Sequence, residues 1–300
     1  MAITLRQLAI FEKVATCEHV TQASTELLLT QSAVSMAIAE LERLAGAPLF
    51  ERQGRRLLLN DRGRQILPEV RDVLMKVRMI EQFLNESVGE PTGILNVGAS
   101  TTIGNYILPA IVGEFAQLYP RATALLQVGN AQQIERAVEG GKLDLGLIEG
   151  LPHIASLNTA PWKHDELVVV VGRGHEWASK KKASLAMLRH AAWIMREKGS
   201  GTREVFEAAM DRKGVDVTVA LELGHTEAIK KAAEAGLGVG CLSRMAVQRE
   251  VDNGWLIEIA TPLNLERTLI ILTRSSGQQT MLLKAFLALL TQTKDQYFKN

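Results

Sequence analysis

Arginine side chains are concentrated in one short segment near the amino end of the chain. Residues 52–64 contain five arginines and one aspartate, a local net charge of +4, whereas the whole chain of 300 residues has a formal net charge of only +1. An arginine-rich loop is most often simply solvated, but guanidinium groups also bind phosphate oxygens through paired hydrogen bonds. Arg52, Arg55 and Arg56 are therefore candidates for contact with the backbone or minor groove of a nucleic acid.

The segment before these arginines predicts two helices around a short turn. In the run VTQASTELLLTQSAVSMAIAELERLAG, one helix is predicted to begin at Thr21, whose hydroxyl would cap its first amides. Ala23 supplies the small side chain that close helix packing needs. A second helix is predicted from about Gln31 to Leu44 and is ended by Gly46, after which PLFERQGRRLLLN predicts two short strands around a turn at Gly54.

Such a helix pair suggests a helix-turn-helix, whose second helix enters the DNA major groove with its amino-terminal residues at the base edges. The candidates for base contact are Gln31, Ser32, Ser35 and Met36. Glutamine can contact adenine through two hydrogen bonds, serine is less selective, and methionine can only touch a thymine methyl group. Helix pairs with short turns are common, so the hypothesis depends on the arginine-rich hairpin and on the helix that follows it.

A long helical pattern runs from Asp61 to about Val88. Its apolar residues alternate at spacings of four and three, the heptad pattern of a coiled-coil seam; they are Ile66, Val70, Val73, Val77, Ile80 and Leu84. The pattern predicts a helix of roughly 40 Å that pairs with a second copy of the chain. The alternative is a helix packed on its own domain, and Pro68 removes one backbone hydrogen bond near its start. GEPTG at 89–93 predicts a domain boundary.

Strands and helices alternate after this boundary. The order strand–helix–strand–helix–strand occurs between ILNVG and LDLGLIEG, and again between AAWIM and VGCLS. This repetition predicts two α/β lobes with mainly parallel sheets. The runs DELVVVVG and LERTLIILTR are predicted to be strands that cross between the lobes, and QQTMLLKAFLALL a helix that returns to the first lobe.

Three polar turns are each predicted to follow a strand and open a helix, where strand ends face the cleft of a two-lobed protein. They are Ser100-Thr101-Thr102, Gly199-Ser200-Gly201-Thr202 and His225-Thr226. Helix N-termini offer unpaired amides and a partial positive charge. With Arg196 or Arg203 nearby, the small hydroxyl side chains predict a compact oxyanion as ligand. The alternative is that each serine or threonine only caps its helix.

Glu149 and Asn130 are also predicted at the cleft. Glu149 would repel an anion unless it is protonated or orients an arginine or a ligand ammonium, whereas Asn130 could donate to the ligand. No catalytic residue, metal site or cofactor is predicted. Ser200 has no evident base partner, the six histidines lack metal-ligand spacing, and GLGVG at 236–240 lies between a helix and a strand, the reverse of a dinucleotide-binding turn.

The composition indicates a cytoplasmic protein without a membrane partner. Hydrophobic residues make up 47% and charged residues 22% of the chain, which is ordinary for a globular protein. Cys17 and Cys241 give neither a disulfide framework nor a metal-ligand pair. No apolar stretch is long enough for a membrane span, and MAITLRQLAIF lacks the apolar core of a signal peptide.

The run QLAIFEKVATCEHVTQASTELLLTQSAVSMAIAELERLAGAPLFERQGRRLLLNDRGR closely resembles the N-terminus of LysR-type transcriptional regulators, and the resemblance extends over the whole chain. It implies an all-α-type winged helix-turn-helix at 1–60, a linker helix at 61–89, and at 90–300 an α/β effector domain like periplasmic binding proteins. The expected lobes are 90–162 plus 267–300, and 163–266.

The resemblance further implies contacts to bases and phosphates at specific positions, namely Gln31, Ser32, Ser35 and Arg52, with Thr21 and Thr30 on the DNA backbone. Met36 departs from the family, because many members have arginine there. The implied partners are promoter DNA, a small effector, further copies of the chain in a dimer of dimers, and RNA polymerase.

Four segments of the second half look closest to the YeiE and CysL-like branch: STTIGNYILPA, REKGSGTRE, TEAIKKAAEAG and GLGVGCLSR. Members of that branch are linked to sulfur metabolism, so the expected effector is an oxyanion such as sulfite or sulfate, or a small carboxylate. Two alternatives stay open. One is a binding protein or enzyme whose amino-terminal helices only mediate oligomerisation; the other is a periplasmic solute binder, against which the missing signal peptide argues. We expect a DNA-binding regulator and not an enzyme.

Overall fold

The computed structural model describes residues 3–54, 56–85, 90–275 and 279–292. The chain divides into two compact units, Met1–Ser87 and Val88–Asn300. The elements of the first unit are α1 (Leu5–Cys17), α2 (Val20–Glu26), α3 (Gln31–Ala45), β1 (Phe50–Gln53), β2 (Arg56–Leu59) and α4 (Asp61–Asn85). The predicted helix pair and hairpin are therefore confirmed.

The first unit has a small core of its own. Phe11 and Val14 of α1 and Val34 of α3 are fully buried, and the ring of Phe11 packs against that of Phe50 with centroids 5.3 Å apart. Ala23 of α2 is also fully buried, as close helix packing predicts. The turn that ends α3 is at Gly46, whose φ of 70° favours glycine.

The predicted cap at Thr21 is wrong. Helix α2 begins one residue earlier, at Val20, and no side chain caps it. Thr21 therefore lies inside the first turn, and its hydroxyl instead accepts a hydrogen bond from Nε2 of Gln31 at 2.9 Å. The threonine that does cap a helix is Thr30, whose hydroxyl accepts from the amide of Ala33 at the start of α3.

The long helix α4 follows, in its first half, the alternative of packing on its own domain. Its amino-terminal half packs on the first-unit core through residues that include Ile66 and Val70. In its carboxyl-terminal half, Ile80 and Leu84 are 57% and 71% exposed. The helix contains Pro68 without interruption. An apolar stripe is thus left for a partner, and pairing with a second copy stays a prediction.

The second unit contains the predicted alternation of strands and helices. Its elements are β3 (Gly93–Ser100), α5 (Thr101–Tyr106), α6 (Leu108–Leu118), β4 (Ala122–Gly129), α7 (Ala131–Glu139), β5 (Leu145–Glu149), β6 (Leu157–Gly172), α8 (Leu185–Arg189), β7 (Trp193–Arg196), α9 (Gly201–Asp211), β8 (Val219–Leu223), α10 (Thr226–Glu234), β9 (Val239–Ser243), α11 (Arg244–Asp252), β10 (Leu256–Ile259), β11 (Glu266–Arg274) and α12 (Met281–Gln292). The helix predicted between the first two strands is divided into α5 and α6, and Pro109 is the second residue of α6, where a proline is well tolerated.

Each lobe is built on three parallel strands. In the first lobe β3 pairs in parallel with β4 and β5, and in the second β7 pairs in parallel with β8 and β9. Antiparallel strands extend both sheets: β11 pairs with β5 and β6, and β6 pairs with β9 and β10. The two-lobed α/β architecture predicted from the repeated strand–helix order is confirmed.

Strand β6 passes from one lobe to the other. Its pairing with β11 extends to Glu166, and its pairing with β9 begins at Leu167, so the crossing lies somewhat after the expected limit at residue 162. Helix α12 returns to the first lobe as predicted, since Phe286 packs on Phe115 with ring centroids 5.0 Å apart. Within the described part of the chain, no helix has the length and apolar character that a membrane span requires.

A buried ion pair holds the strands where they cross. Asp165 of β6 lies opposite Arg267 of β11, and Nη2 of Arg267 is 2.6 Å from Oδ2 of Asp165, with both side chains at most 2% exposed. Ser243, at the end of β9, donates to the other Asp165 oxygen at 2.8 Å. The desolvation of the two charges offsets much of their attraction, so the pair mainly fixes geometry.

We expect Gly63→Ala to lower the free energy of unfolding of the first unit by about 1 to 3 kcal/mol. A Cβ at this position of α4 would lie 2.2 Å from the carbonyl oxygen of Leu49, and backbone cannot move aside as a side chain can. Urea denaturation followed by circular dichroism measures the change. The control is Gly113→Ala in α6, where a Cβ meets nothing within 4 Å and about 0.5–1 kcal/mol should be gained. A neutral Gly63→Ala would contradict the close contact.

Asp165→Asn should destabilise the second unit by about 3 kcal/mol or more, because it leaves the Arg267 guanidinium buried without a counter-charge. The next residue provides a matched control. Glu166 pairs with Arg244 on the surface, with side chains 52% and 41% exposed, so Glu166→Gln should cost less than about 1 kcal/mol. Equal losses in the two variants, measured by urea denaturation, would show that the buried pair has no special role.

Candidate functional site

The predicted base-contacting residues share one exposed face of α3. Gln31, Ser32, Ser35 and Met36 are all exposed, while Val34 on the other side of the helix is fully buried. Met36 is 67% exposed, so its side chain is accessible to a partner. The helix can therefore present this face to a groove without losing its core contacts.

Hydrogen bonds order the amino-terminal end of this face. Nε2 of Gln31 donates to the hydroxyl of Thr21 at 2.9 Å, which leaves the Gln31 carbonyl oxygen available as an acceptor. The hydroxyls of Thr30 and Ser32 lie 3.0 Å apart. Thr21 and Thr30 are both exposed, and these contacts place them beside the predicted base-contacting residues.

The arginines of residues 52–64 differ in what they contact. Arg62 and Arg64 serve the protein itself, because they donate to the carbonyl oxygens of Ala45 and Leu59. Arg56 lies 3.6 Å from Glu18 and is partly neutralised. Arg52 is exposed on β1, and it forms no ion pair with any residue that the structure describes. The predicted contact at Arg55 lies outside the described residues.

Arg267, which the sequence analysis did not single out, lies where the two lobes of the second unit meet. Nη1 of Arg267 donates to the hydroxyl of Thr202 at 2.9 Å, and Nη2 donates to the hydroxyl of Thr102 at 3.3 Å. Thr102 belongs to the first lobe and Thr202 to the second, so one guanidinium joins the lobes. A guanidinium can only donate. Each threonine oxygen is thus an acceptor here, and its own hydroxyl hydrogen remains for a ligand.

Arg196 forms a second bridge between the lobes. Its Nη2 donates to the hydroxyl of Thr101 at 3.1 Å, and its Nε and Nη2 bind both oxygens of Glu197 at 2.8 and 2.9 Å. Nδ2 of Asn130 donates to the same carboxylate at 3.3 Å. Burial is the largest single influence and would raise the pKa of Glu197, but the hydrogen bonds and charge of Arg196, together with the hydrogen bond from Asn130, lower that pKa overall.

Glu149 is buried at the end of β5 and binds backbone rather than an arginine. Its Oε1 accepts a hydrogen bond from the amide of Thr102 at 3.0 Å, which is the one side-chain hydrogen bond that Glu149 forms with the described residues. The backbone of Glu149 also approaches α9 closely, since a Cβ on Gly201 would lie 1.9 Å from the Glu149 carbonyl oxygen. Only glycine permits this contact between the lobes.

The third polar turn also lies where the lobes meet. The hydroxyl of Tyr106, at the end of α5, donates to Glu227 in the first turn of α10 at 2.8 Å. Burial and this hydrogen bond raise the pKa of Tyr106 to about 12. Thr226 is only 3% exposed, whereas His225 is exposed.

The N-cap residues of the three polar turns do not cap their helices with a side chain, whereas Asn130, predicted only as a donor to the ligand, does cap one. Asn130 caps α7 by accepting from the amide of Gln133 at 2.9 Å. Ser100, Ser200 and His225 occupy the N-cap positions of α5, α9 and α10 without a side-chain cap hydrogen bond. Helices α9 and α10 therefore begin with amides that no described side chain satisfies.

The carbonyl of Gly199 accepts from the amide of Gln132 at 3.2 Å, which draws the first-lobe helix α7 to the second polar turn. Arg203, which the sequence offered as the alternative to Arg196, forms no hydrogen bond with a cleft hydroxyl among the described residues. Its guanidinium binds Glu207 and Glu222, because these carboxylates lie beside it on α9 and β8, so it is already paired away from the cleft hydroxyls.

Arg267, Asp165 and Ser243 were missed by the sequence reasoning. A signal did exist: DELVVVVG and LERTLIILTR each place a charged residue at the start of an apolar crossing strand. Opposite charges at such positions can pair across neighbouring strands. Over the described ranges, no cluster of histidine, cysteine, aspartate and glutamate is arranged to hold a metal ion.

Two family models match the chain. The model of the bacterial regulatory helix-turn-helix protein of the lysR family matches residues 5–64, and that of the LysR substrate binding domain matches residues 89–295. The chain is 42% identical over 270 residues to the uncharacterized HTH-type transcriptional regulator YeiE of Escherichia coli K12, covering 90% of each protein.

Solved structures show the same architecture. The regulatory domain of Synechocystis CcmR in complex with 2-PG is 33% identical, with a TM-score of 0.62, over 67% of this chain and 96% of that one. Full-length CbnR complexed with its target DNA has a TM-score of 0.68 at 19% identity, over 96% of this chain and 99% of that one, a likeness of fold. The helix-turn-helix, the two-lobed unit and these matches show that the chain belongs to the LysR family of bacterial transcriptional regulators.

Proposed function

We propose that this LysR-family regulator controls promoter activity in response to a small anionic effector that binds between the two lobes of its second unit. The observation that carries the proposal is the pair of threonines from opposite lobes, Thr102 and Thr202, held by the single guanidinium of Arg267. Both hydroxyls have a hydrogen to donate at the same place. The uncapped start of α9 adds backbone amides beside Thr202.

An effector at this place would act by changing the arrangement of the lobes. Its oxygens would accept from residues of both lobes, so it binds the closed arrangement more tightly than the open one. That difference in affinity is the free energy available for regulation. A small ligand in the regulatory domain of the relative CcmR supports this part of the proposal.

We propose that the effector is a small oxyanion of the sulfite or sulfate type, or a small carboxylate. Thr101, Thr102, Ser200 and Thr202 are small and buried, which suits a compact polar ligand better than a bulky apolar one. The similarity to YeiE and the sulfur-related branch supports a role in sulfur metabolism.

The DNA-binding part of the proposal concerns the exposed face of α3 and Arg52. Two first units would pair through the α4 stripe of Val73, Ile80 and Leu84, whose side chains are 40%, 57% and 71% exposed. Paired units would present two recognition helices about one helical turn of DNA apart. A dimer of such dimers, bound to promoter DNA in the cytoplasm, would then change DNA bending and access of RNA polymerase, without catalysing a reaction.

Gln31→Ala combined with Arg52→Ala should weaken binding to the promoter next to the protein's own gene by about 10- to 100-fold. The change removes one base contact and one phosphate contact. Fluorescence anisotropy with the promoter and with a scrambled duplex measures both affinity and specificity. Arg249→Ala, an exposed arginine of α11 in the second unit, is the charge-matched control. Equally tight binding of the double variant, or no preference of the wild type for the promoter, would contradict the proposal.

Thermal-shift measurements on the full chain should find a stabilising ligand among sulfite, sulfate, thiosulfate and small carboxylates, because a specific binder raises Tm by mass action. Thr102→Val removes one hydroxyl donor and should weaken that ligand about tenfold, while DNA affinity without ligand stays unchanged. Thr123→Val, an exposed threonine on β4, is the matched control. Failure of every anion would remove the support for an anion site, and unchanged affinity in Thr102→Val would remove Thr102 from it.

A further inference from the structure

We infer that the effector site selects ligands that carry no more than one negative charge and that bring a hydrogen-bond donor of their own, which Glu149 accepts. This inference rests on the proposed effector site and specifies its ligand class. Fully deprotonated dianions such as sulfate would be rejected, whereas singly charged oxyanions that retain a hydrogen would be accepted.

The charges of the two cationic side chains at the site are already compensated by carboxylates. Arg267 is paired with Asp165 through its Nε and Nη2, at 2.7 and 2.6 Å. Arg196 binds both oxygens of Glu197. Each guanidinium therefore contributes geometry and polarised hydroxyls, but neither leaves an uncompensated positive charge for a second negative charge on the ligand.

Glu149 has no cationic partner among the described residues. The residue is only 3% exposed, and its Oε1 accepts a hydrogen bond from the amide of Thr102. The other oxygen, Oε2, forms no hydrogen bond with the described part of the chain. A carboxylate oxygen can only accept, so a ligand beside Thr102 must present a hydrogen to Oε2 or meet it as a like charge.

The remaining charges near the site are those of the helix starts and of Glu149. The starts of α9 and α10 have no side-chain cap, and each supplies at most about half a positive charge. Glu204 and Glu227 in their first turns reduce this positive charge further, and the charge of Glu149 offsets what remains. A single negative charge on the ligand is then tolerable with the hydroxyl and amide donors present. A second one adds direct repulsion from Glu149, which at contact distance in a protein lowers affinity more than about tenfold.

Other charged groups near the cleft do not alter this balance. Arg203 pairs with both Glu207 and Glu222, and Lys230, beside Tyr106, pairs with Glu227 and Glu250. His225 precedes α10 and is exposed, so solvent screens it. Glu149 is thus the charged group that decides between singly and doubly charged ligands.

Isothermal titration of the full chain with inorganic phosphate, sulfite and sulfate between about pH 6 and about pH 8 tests the inference, because phosphate and sulfite change from one to two negative charges in this range. We expect both to bind more weakly as the pH rises, and sulfate to bind at least about tenfold more weakly than either at the lower pH. Sulfate itself does not titrate here, so any pH dependence of its binding reports the protein and not the ligand.

Glu149→Gln tests the role of the carboxylate directly. The amide oxygen of glutamine can still accept from the amide of Thr102, while its NH2 group becomes a donor toward the ligand. We expect the affinity for sulfate to rise at least about tenfold and the pH dependence of phosphate and sulfite binding to flatten. The matched control is Glu139→Gln at the carboxyl-terminal end of α7. Glu139 is an exposed carboxylate that accepts a hydrogen bond from Ser156.

The outcomes separate this inference from the proposed function. If the wild type binds sulfate as tightly as phosphate and sulfite at every pH, or if Glu149→Gln changes neither preference, the inference is overturned while the anion site stands. If no anion binds to either protein, both fail. Circular dichroism and promoter binding show whether Glu149→Gln is folded; if it is not, the pH series on the wild type decides alone.

Discussion

The pairing of Arg267 with Asp165 constrains most of what the second unit can do. It lies where β6 and β11 pass between the lobes, and the guanidinium also binds Thr102 and Thr202 from the two sides. A buried charge must be fully paired and hydrogen-bonded to persist. The same requirement that satisfies Arg267 therefore sets the spacing of the two hydroxyls of the proposed effector site, so the fold and this site depend on one interaction.

The first unit follows a different principle, in which packing decides which charges stay available. A small aromatic and aliphatic core fixes α3 so that one face remains exposed. Arg62 and Arg64 are used by the protein's own carbonyl groups, whereas Arg52 is exposed. A net charge counted over residues 52–64 thus overstates what a DNA phosphate would meet.

Local sequence patterns are sufficient to predict most of the secondary-structure elements. The helix pair, the hairpin around Gly54 and the repeated strand–helix order were all predictable, because apolar periodicity and turn residues specify them locally. Two local predictions failed for identifiable reasons. Thr21 hydrogen-bonds with Gln31, ten residues away, instead of capping α2. Arg203 pairs with Glu207 one turn further along α9 and with Glu222 on β8, and not with the cleft hydroxyls.

The sequence by itself determined the classes of element, the family resemblance and the three polar turns at the strand ends, since each depends on residues close together in the chain. Only the tertiary structure decided what those turns bind. Arg267 lies 165 positions from Thr102, and Glu149 reaches the Thr102 amide across 47. Hydrogen bonds of this kind depend on how the strands cross and on which carboxylates are already paired, and no local pattern encodes either.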